Sequence, residues 1–160
     1  MVKSGEAAPD FVLKDSLGRE RKLSDYAGKR IVLFFYPKDM TPGCTKEACG
    51  FRDHFGAYTH EGLELLGVSL DTSESHEEFA RQYNLPFTLL SDVNGKAAKD
   101  YGTYVEKIIE GEKSWGILRT TFIINAEGQV EKVFRDVNVD SHALDVLQEL
   151  HSPNRSDSVL

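Results

Sequence analysis

The chain is poor in cysteine. Its 160 residues hold two, Cys44 and Cys49. A pair five positions apart closes too short a loop to constrain the unfolded chain much, and a reducing cytosol would keep it open. A disulfide-stapled framework is therefore excluded, and reactivity explains the pair better. Positive charge is also in short supply: 19 Lys and Arg stand against 26 Asp and Glu, a net charge of −7. Bulk electrostatic binding to nucleic acid or to an anionic membrane is excluded on that balance. No apolar run approaches transmembrane length. The first ten residues, MVKSGEAAPD, carry neither an apolar signal core nor an Arg-rich transit pattern. The chain as it stands is expected in the cytoplasm, although a removed transit peptide would leave no trace. There are no internal repeats. What remains is an ordinary globular composition, 40% hydrophobic and 28% charged, long enough for one domain with a sizeable core.

Both cysteines fall within residues 36–52, YPKDMTPGCTKEACGFR. An apolar run, 31–35, precedes this stretch and reads as a buried strand; a helical pattern follows it. Thr41 suits the N-cap and Pro42 the first helical position. Gly43 is then N2 and Cys44 N3. In the first turn the backbone N–H groups lack helical partners and the helix dipole is positive, which favours the nucleophilic thiolate over the thiol. Thr41 and Cys44 have the spacing of a capping box with sulfur in the acidic position, so the Thr41 hydroxyl is expected near the sulfur or its target.

Along the rest of the chain, 11–13 and 21–23 flank a Gly18 turn and read as an N-terminal hairpin. Residues 23–28 suggest one helical turn closed by Gly28. The cysteine helix is expected to run on to about His60, with Phe51, Phe55 and Tyr58 on its core face. A strand over 63–70 follows, then a helix capped by Thr72 or Ser73 and ending near Tyr83. A short strand spans 87–90, and Asp92 or Asn94 caps a helix to Tyr101. Residues 104–115 are mixed, charged and glycine-bearing, and suggest an irregular loop or edge segment. A hairpin over 120–125 and 130–135 turns at 126–128. The last helix is expected over 141–150, and a polar, frayed tail from 152 to 160. The unit 1–151 is thus expected to be one α/β domain with a mixed central sheet flanked by helices.

Cys44, Cys49, His54 and His60 also supply four ligands of the kinds zinc takes. All four would lie along one helix, whereas structural zinc sites fold ligand pairs together from separate elements. That geometry argues against a metal, and leaves His54 and His60 as surface or packing residues. His76, His142 and His151 carry no chemistry visible in the sequence.

Pro37-x-x-x-Thr41-x-x-Cys44 resembles the active-site motif of the peroxiredoxins. The longer string TPGCTKEAC is similar to the bacterioferritin-comigratory, or Q-type, branch, whose second cysteine stands five residues after the first. Arg119-Thr-Thr-Phe-Ile-Ile resembles the strand of that family that bears its catalytic arginine. The order of elements fits from Gly5 to about Leu150, and implies a thioredoxin-like fold. The resemblance implies a thiol peroxidase that reduces hydrogen peroxide and alkyl hydroperoxides. In it Cys44 is the peroxidatic nucleophile and passes through a sulfenic acid. Cys49 resolves that acid to an intramolecular disulfide, which thioredoxin or a similar dithiol reopens. Arg119 and the amides of Gly43 and Cys44 steady the developing charge, Thr41 holds the peroxide, and Pro37 covers the sulfur. No metal or organic cofactor is implied, and the branch suggests a monomer. Two alternatives stay open: a thiol–disulfide oxidoreductase, whose usual Cys-x-x-Cys is not matched here, and a redox sensor that reacts once with peroxide.

Overall fold

The computed structural model describes residues 1–135 and 137–151; the expected polar tail lies outside the described residues. Among the described residues nine strands and five α-helices follow one another as β1 (Val12–Asp15), β2 (Glu20–Lys22), β3 (Arg30–Phe35), α1 (Pro42–Asp53), α2 (Phe55–His60), β4 (Leu63–Ser69), α3 (Ser73–Tyr83), β5 (Thr88–Ser91), α4 (Lys96–Tyr101), β6 (Tyr104–Ile109), β7 (Glu112–Ile117), β8 (Thr120–Ile124), β9 (Val130–Phe134) and α5 (His142–His151), with one 3-10 turn, Leu23–Tyr26, between β2 and β3. Seven strands form one mixed sheet in the order β2-β1-β5-β4-β3-β8-β9. β3, β4 and β5 are parallel, while β8 and β1 flank them antiparallel. This is the thioredoxin-like arrangement, with β1 and β2 as the N-terminal hairpin.

β3 organises the core. Its residues are buried on both faces, as a central strand covered by helices must be. Side chains alternate across a strand, so Val32, Phe34 and the following Tyr36 join the cluster built with Phe51, Tyr58, Phe79 and Val146. Ile31, Leu33 and Phe35 join the opposite cluster with Ala97, Ala98 and Tyr101. The result is a three-layer sandwich, with α1, α2, α3 and α5 on one face and α4 on the other. Close packing accounts for Gly67 in β4. A Cβ there would lie 2.7 Å from Phe34 Cζ and 2.9 Å from Leu89 Cδ2, distances that only a displaced neighbour could relieve.

Two expectations about local structure need correcting. The cysteine helix does not run unbroken to His60; it stops at Asp53, and α2 begins at Phe55. His54 leaves helical geometry at φ −110°, ψ 12°. Its ring Nδ1 lies 3.0 Å from the Gly50 carbonyl, the acceptor its own backbone N–H uses at 3.3 Å, so side chain and backbone compete for one oxygen. Phe51 and Tyr58 are still fully buried, and Phe55 packs partly buried against the same cluster. Residues 104–115 are not irregular either. β6 and β7 form a separate two-stranded ribbon, turning at Glu110 (φ 52°) and Gly111 (φ 81°). Two successive positive φ values are what a tight hairpin turn requires. The ribbon exposes Ile108 and Trp115 on one face and Ile109 on the other, so apolar side chains stand on both faces and the alternation by which a strand is recognised is lost.

Candidate active site

The site forms where three chain segments meet at the carboxyl end of β3, the edge at which open α/β sheets place their ligands. β3 delivers the loop from Tyr36 to Thr41. α1 starts immediately after it. Thr120, the first residue of β8, pairs with Phe35, so the residue before it, Arg119, is carried to the same edge.

α1 begins as its sequence dictates. Thr41 is the N-cap in extended conformation and Pro42 stands at N1. The hydrogen-bond ladder opens with Thr45 N–H to the Thr41 carbonyl at 2.9 Å, so the amides of Gly43 and Cys44 precede it. Cys44 is buried, 1% exposed, in the positive first turn. Arg119 Nη2 donates to its Sγ at 3.2 Å. Gly43 leaves room for that approach: an added Cβ would lie 3.2 Å from Arg119 Nη2, a tight contact that glycine spares. Both cysteines are free, Cys44 buried and Cys49 partly so. They share one continuous helix, α1. Residues five apart there stand about 8.7 Å apart at Cα by helix geometry, beyond the roughly 7 Å a disulfide spans. Burial pushes the Cys49 thiol up, with Arg52 opposing and Asp53 adding to the rise.

Thr41 departs from the expected capping box. Its hydroxyl donates to the Lys38 carbonyl at 2.8 Å and makes no side-chain cap. The tight loop before it, with Met40 at φ 66°, turns that carbonyl toward Thr41 and captures the hydroxyl. Pro37 is partly buried in the same loop.

Sequence reasoning missed the groups behind Arg119. Arg119 Nη1 donates to Glu47 Oε1 at 2.6 Å. Glu47 lies one turn beyond Cys44 on the same face of α1, and its side chain is fully buried. Its second oxygen, Oε2, has no hydrogen-bond partner and lies 3.8 Å from His142 Nε2. The same His142 nitrogen stands 2.7 Å from Thr121 Oγ1. Gly50 of α1 faces Ala143 of α5, where an added Cβ would sit at an ordinary 3.6 Å. Burial pushes the Glu47 carboxyl up to about 7, against the pull of Arg119. Burial likewise drives His142 down to about 4; Asp145 opposes this and Arg119 adds to it. Burial also works against the charge of Arg119, but Glu47 and Cys44 outweigh it and hold the guanidinium up. The i, i+3 spacing of Cys44 and Glu47 was the one available signal. Lys107 of β6 adds a further cation near the site. Burial and then Arg119 hold it below its ordinary value, while Cys44 pulls it up.

A second buried network supports the loop. His76, fully buried on α3, places Nδ1 2.8 Å from Asp39 Oδ2 and Nε2 3.0 Å from the Leu90 carbonyl. Tyr36 donates to Asp39 Oδ1 at 2.6 Å, and Asp71 Oδ2 accepts from Asp39 N–H at 2.8 Å. Asp39, Asp71 and His76 are the one group of candidate metal ligands that converges among the described residues. They are already engaged: Asp39 by Tyr36, Ser75 and His76, His76 also by the Leu90 carbonyl, and Asp71 by Ser69 and the Asp39 N–H. Cys44, Cys49, His54 and His60 do not converge; His60 lies exposed at the end of α2.

A thioredoxin-like sheet with a buried first-turn cysteine beside a guanidinium defines a class, the thiol-based peroxidases. Comparison with known proteins gives the branch. The family model described as the AhpC/TSA family matches residues 4–133. The Peroxiredoxin Bcp of Bacillus subtilis is 46% identical over 149 residues, covering 93% of this chain and 95% of that protein. Its Escherichia coli counterpart is 41% identical over 141 residues, covering 88% and 90%. Among solved structures, the Xanthomonas campestris bacterioferritin comigratory protein, studied for alkyl peroxide reduction through trapped intermediate and ligand complexes, superposes with a TM-score of 0.86. It is 35% identical, with 92% of this chain and 97% of that one covered. A cysteine mutant of Xylella fastidiosa PrxQ gives 0.89 at 30% identity, covering 99% and 98%. The chain belongs to the AhpC/TSA family, in its bacterioferritin-comigratory, Q-type peroxiredoxin branch. It is a thiol-dependent peroxidase that acts on peroxides and draws on a thiol reductant. Among the described residues no helix is long and apolar enough to cross a membrane.

Proposed function

We propose that Cys44 is the peroxidatic nucleophile, Arg119 its activating cation and Cys49 the resolving thiol. The observation that carries this reading is the Arg119 guanidinium 3.2 Å from a sulfur seated in the first turn of α1. A guanidinium and a helix N-terminus both favour the thiolate. The thiolate attacks the terminal peroxide oxygen. The S–O bond forms, the O–O bond breaks, the attacked oxygen stays on sulfur with its hydrogen, and the leaving oxygen takes from solvent the proton that Cys44 released and departs as water or alcohol. Arg119 and the Gly43 and Cys44 amides lie where that oxygen gathers charge. Cys44 is left as a sulfenic acid. Cys49 then attacks its sulfur, the S–S bond forms and water leaves.

That second step needs α1 to open, since the two Cα atoms are too far apart in an intact helix. Burial keeps the Cys49 thiol protonated until then. Opening also brings the disulfide out to a dithiol reductant such as thioredoxin, which restores both thiols by exchange. Thr41 holds the loop through its hydrogen bond to the Lys38 carbonyl, and its hydroxyl oxygen holds the peroxide in line. Pro37 shapes the wall of the pocket. The catalyst works as a monomer in the cytoplasm, with no metal or organic cofactor.

Cys44→Ser tests the assignment. With thioredoxin, thioredoxin reductase and NADPH, wild type should consume NADPH only when peroxide is added, and the variant should consume none. Peroxide-dependent turnover in the variant would overturn the role of Cys44. Peroxide-independent reduction of protein disulfides by wild type would favour an oxidoreductase instead.

A further inference from the structure

Behind the arginine that reaches the sulfur lies a carboxyl group for which catalysis as described above has no use. Glu47 is wholly buried, yet only one of its oxygens is hydrogen-bonded, to Arg119 Nη1. The other faces His142 Nε2 at 3.8 Å, too far for a hydrogen bond, and that nitrogen is already engaged by Thr121 Oγ1. A buried carboxylate with a bare oxygen is costly unless it is protonated or fully paired. The charged and titratable groups around it are Cys44 on its own helix, Arg119 before β8, and His142 on α5 with Asp145 behind it. Lys107 on β6 lies beyond Arg119. His142 is uncharged in this burial, so it cannot replace Arg119 as a counter-ion. One guanidinium therefore serves two acids, with Nη1 on Glu47 and Nη2 on Cys44.

We propose that Glu47 is a positioning residue that takes up and releases a proton, and that its ionisation divides Arg119 between itself and Cys44. The inference rests on Cys44 being the nucleophile. With Glu47 protonated, Arg119 has the thiolate as its one anionic neighbour. With Glu47 ionised, the guanidinium is shared, and the new negative charge raises the cost of the thiolate. The coupling is reciprocal: a thiolate at Cys44 must likewise hold the proton on Glu47. Neutral His142, fixed by Thr121, keeps the free oxygen of Glu47 away from any second cation.

The test uses reduced full-length protein, wild type against Glu47→Gln and Cys44→Ser. Glutamine keeps an oxygen for Arg119 Nη1 and removes the charge. With carbon-13-labelled glutamate, NMR of wild type should show one carboxyl titrating near neutrality. It should be missing in E47Q and titrate at lower pH in C44S, where the competing anion is gone. The pH profile of iodoacetamide alkylation should be broadened in wild type and become a single step displaced to lower pH in E47Q. Each pH unit of displacement is about tenfold in rate on the acid side. No glutamate titrating above pH 6, or the same midpoint in C44S as in wild type, would overturn the proposal. So would an alkylation profile unchanged in E47Q. If E47Q does not fold, the C44S comparison decides alone. Peroxidase turnover retained by C44S would refute the role of Cys44, a result separate from any Glu47 signal.

Discussion

Glu47 and His142 should pull the stability of the fold in opposite directions over the same pH range. Glu47 rises from an ordinary 4.5 to about 7 on folding. A raised value means that its contribution is whole below pH 4.5 and is lost as pH climbs through 7. His142 falls from 6.5 to about 4. A lowered value means that its contribution is whole above pH 6.5 and is lost as pH drops through 4. Each shift spans about 2.5 pH units, and at 1.36 kcal/mol per unit each is worth about 3 kcal/mol. Little discount for solvent is due, because the two side chains are 0% and 2% exposed. Between pH 4.5 and 6.5 the two slopes nearly cancel in wild type. Single substitutions unmask them. Relative to wild type, Glu47→Gln should gain about 3 kcal/mol as pH rises from 4.5 to 7, because it lacks the decline. His142→Asn should lose about 3 kcal/mol relative to wild type from pH 4 to 6.5, because it lacks the rise. Altered packing and any cavity offset the curves vertically and leave the slopes alone, and the Arg119 ion pair is already contained in the Glu47 shift. The assay is urea unfolding of reduced protein at half-unit pH steps. With a slope near 2 kcal/mol per molar, the midpoint difference from wild type should drift by about 1.5 M, with opposite signs in the two variants. Difference curves that are flat, or that slope the same way, would refute the burial argument.

Arg119→Ala should slow peroxide reduction by about a hundredfold or more, the usual cost of removing one donor aimed at developing charge. It should also slow iodoacetamide alkylation at neutral pH, and an unchanged alkylation rate would leave Arg119 only a packing role. Cys49→Ser should still consume one equivalent of peroxide per chain, with mass spectrometry placing the oxygen on Cys44; a disulfide-linked dimer instead would mean resolution between subunits. Oxidation of wild type should strip amide protection from Thr45 to Arg52, read by hydrogen exchange. Equal protection with the disulfide confirmed would show that the bond closes without unwinding α1.

Much of this molecule was legible in its sequence because the signals were local. The 31–35 run was unbroken and apolar, opening on β-branched Ile31 and Val32, and Thr41-Pro42 announced the start of α1, so Cys44 in a first helical turn followed from spacing alone. Short-range chemistry misled only where side chains had a choice. Thr41 turned to Lys38 rather than capping, His54 drew the Gly50 carbonyl and split the helix, and apolar residues on both faces hid the β6–β7 ribbon. Glu47, His142, Asp39 and His76 had no local signal of any weight. Their meaning depends on burial and on partners many positions distant: Arg119 is 72 residues from Glu47, and Asp39 is 37 from His76. The sequence by itself determined which thiol sits at a helix start and which family that start belongs to. Only the tertiary structure decided how Arg119 is shared, because the energy of a charge depends on what surrounds it in space.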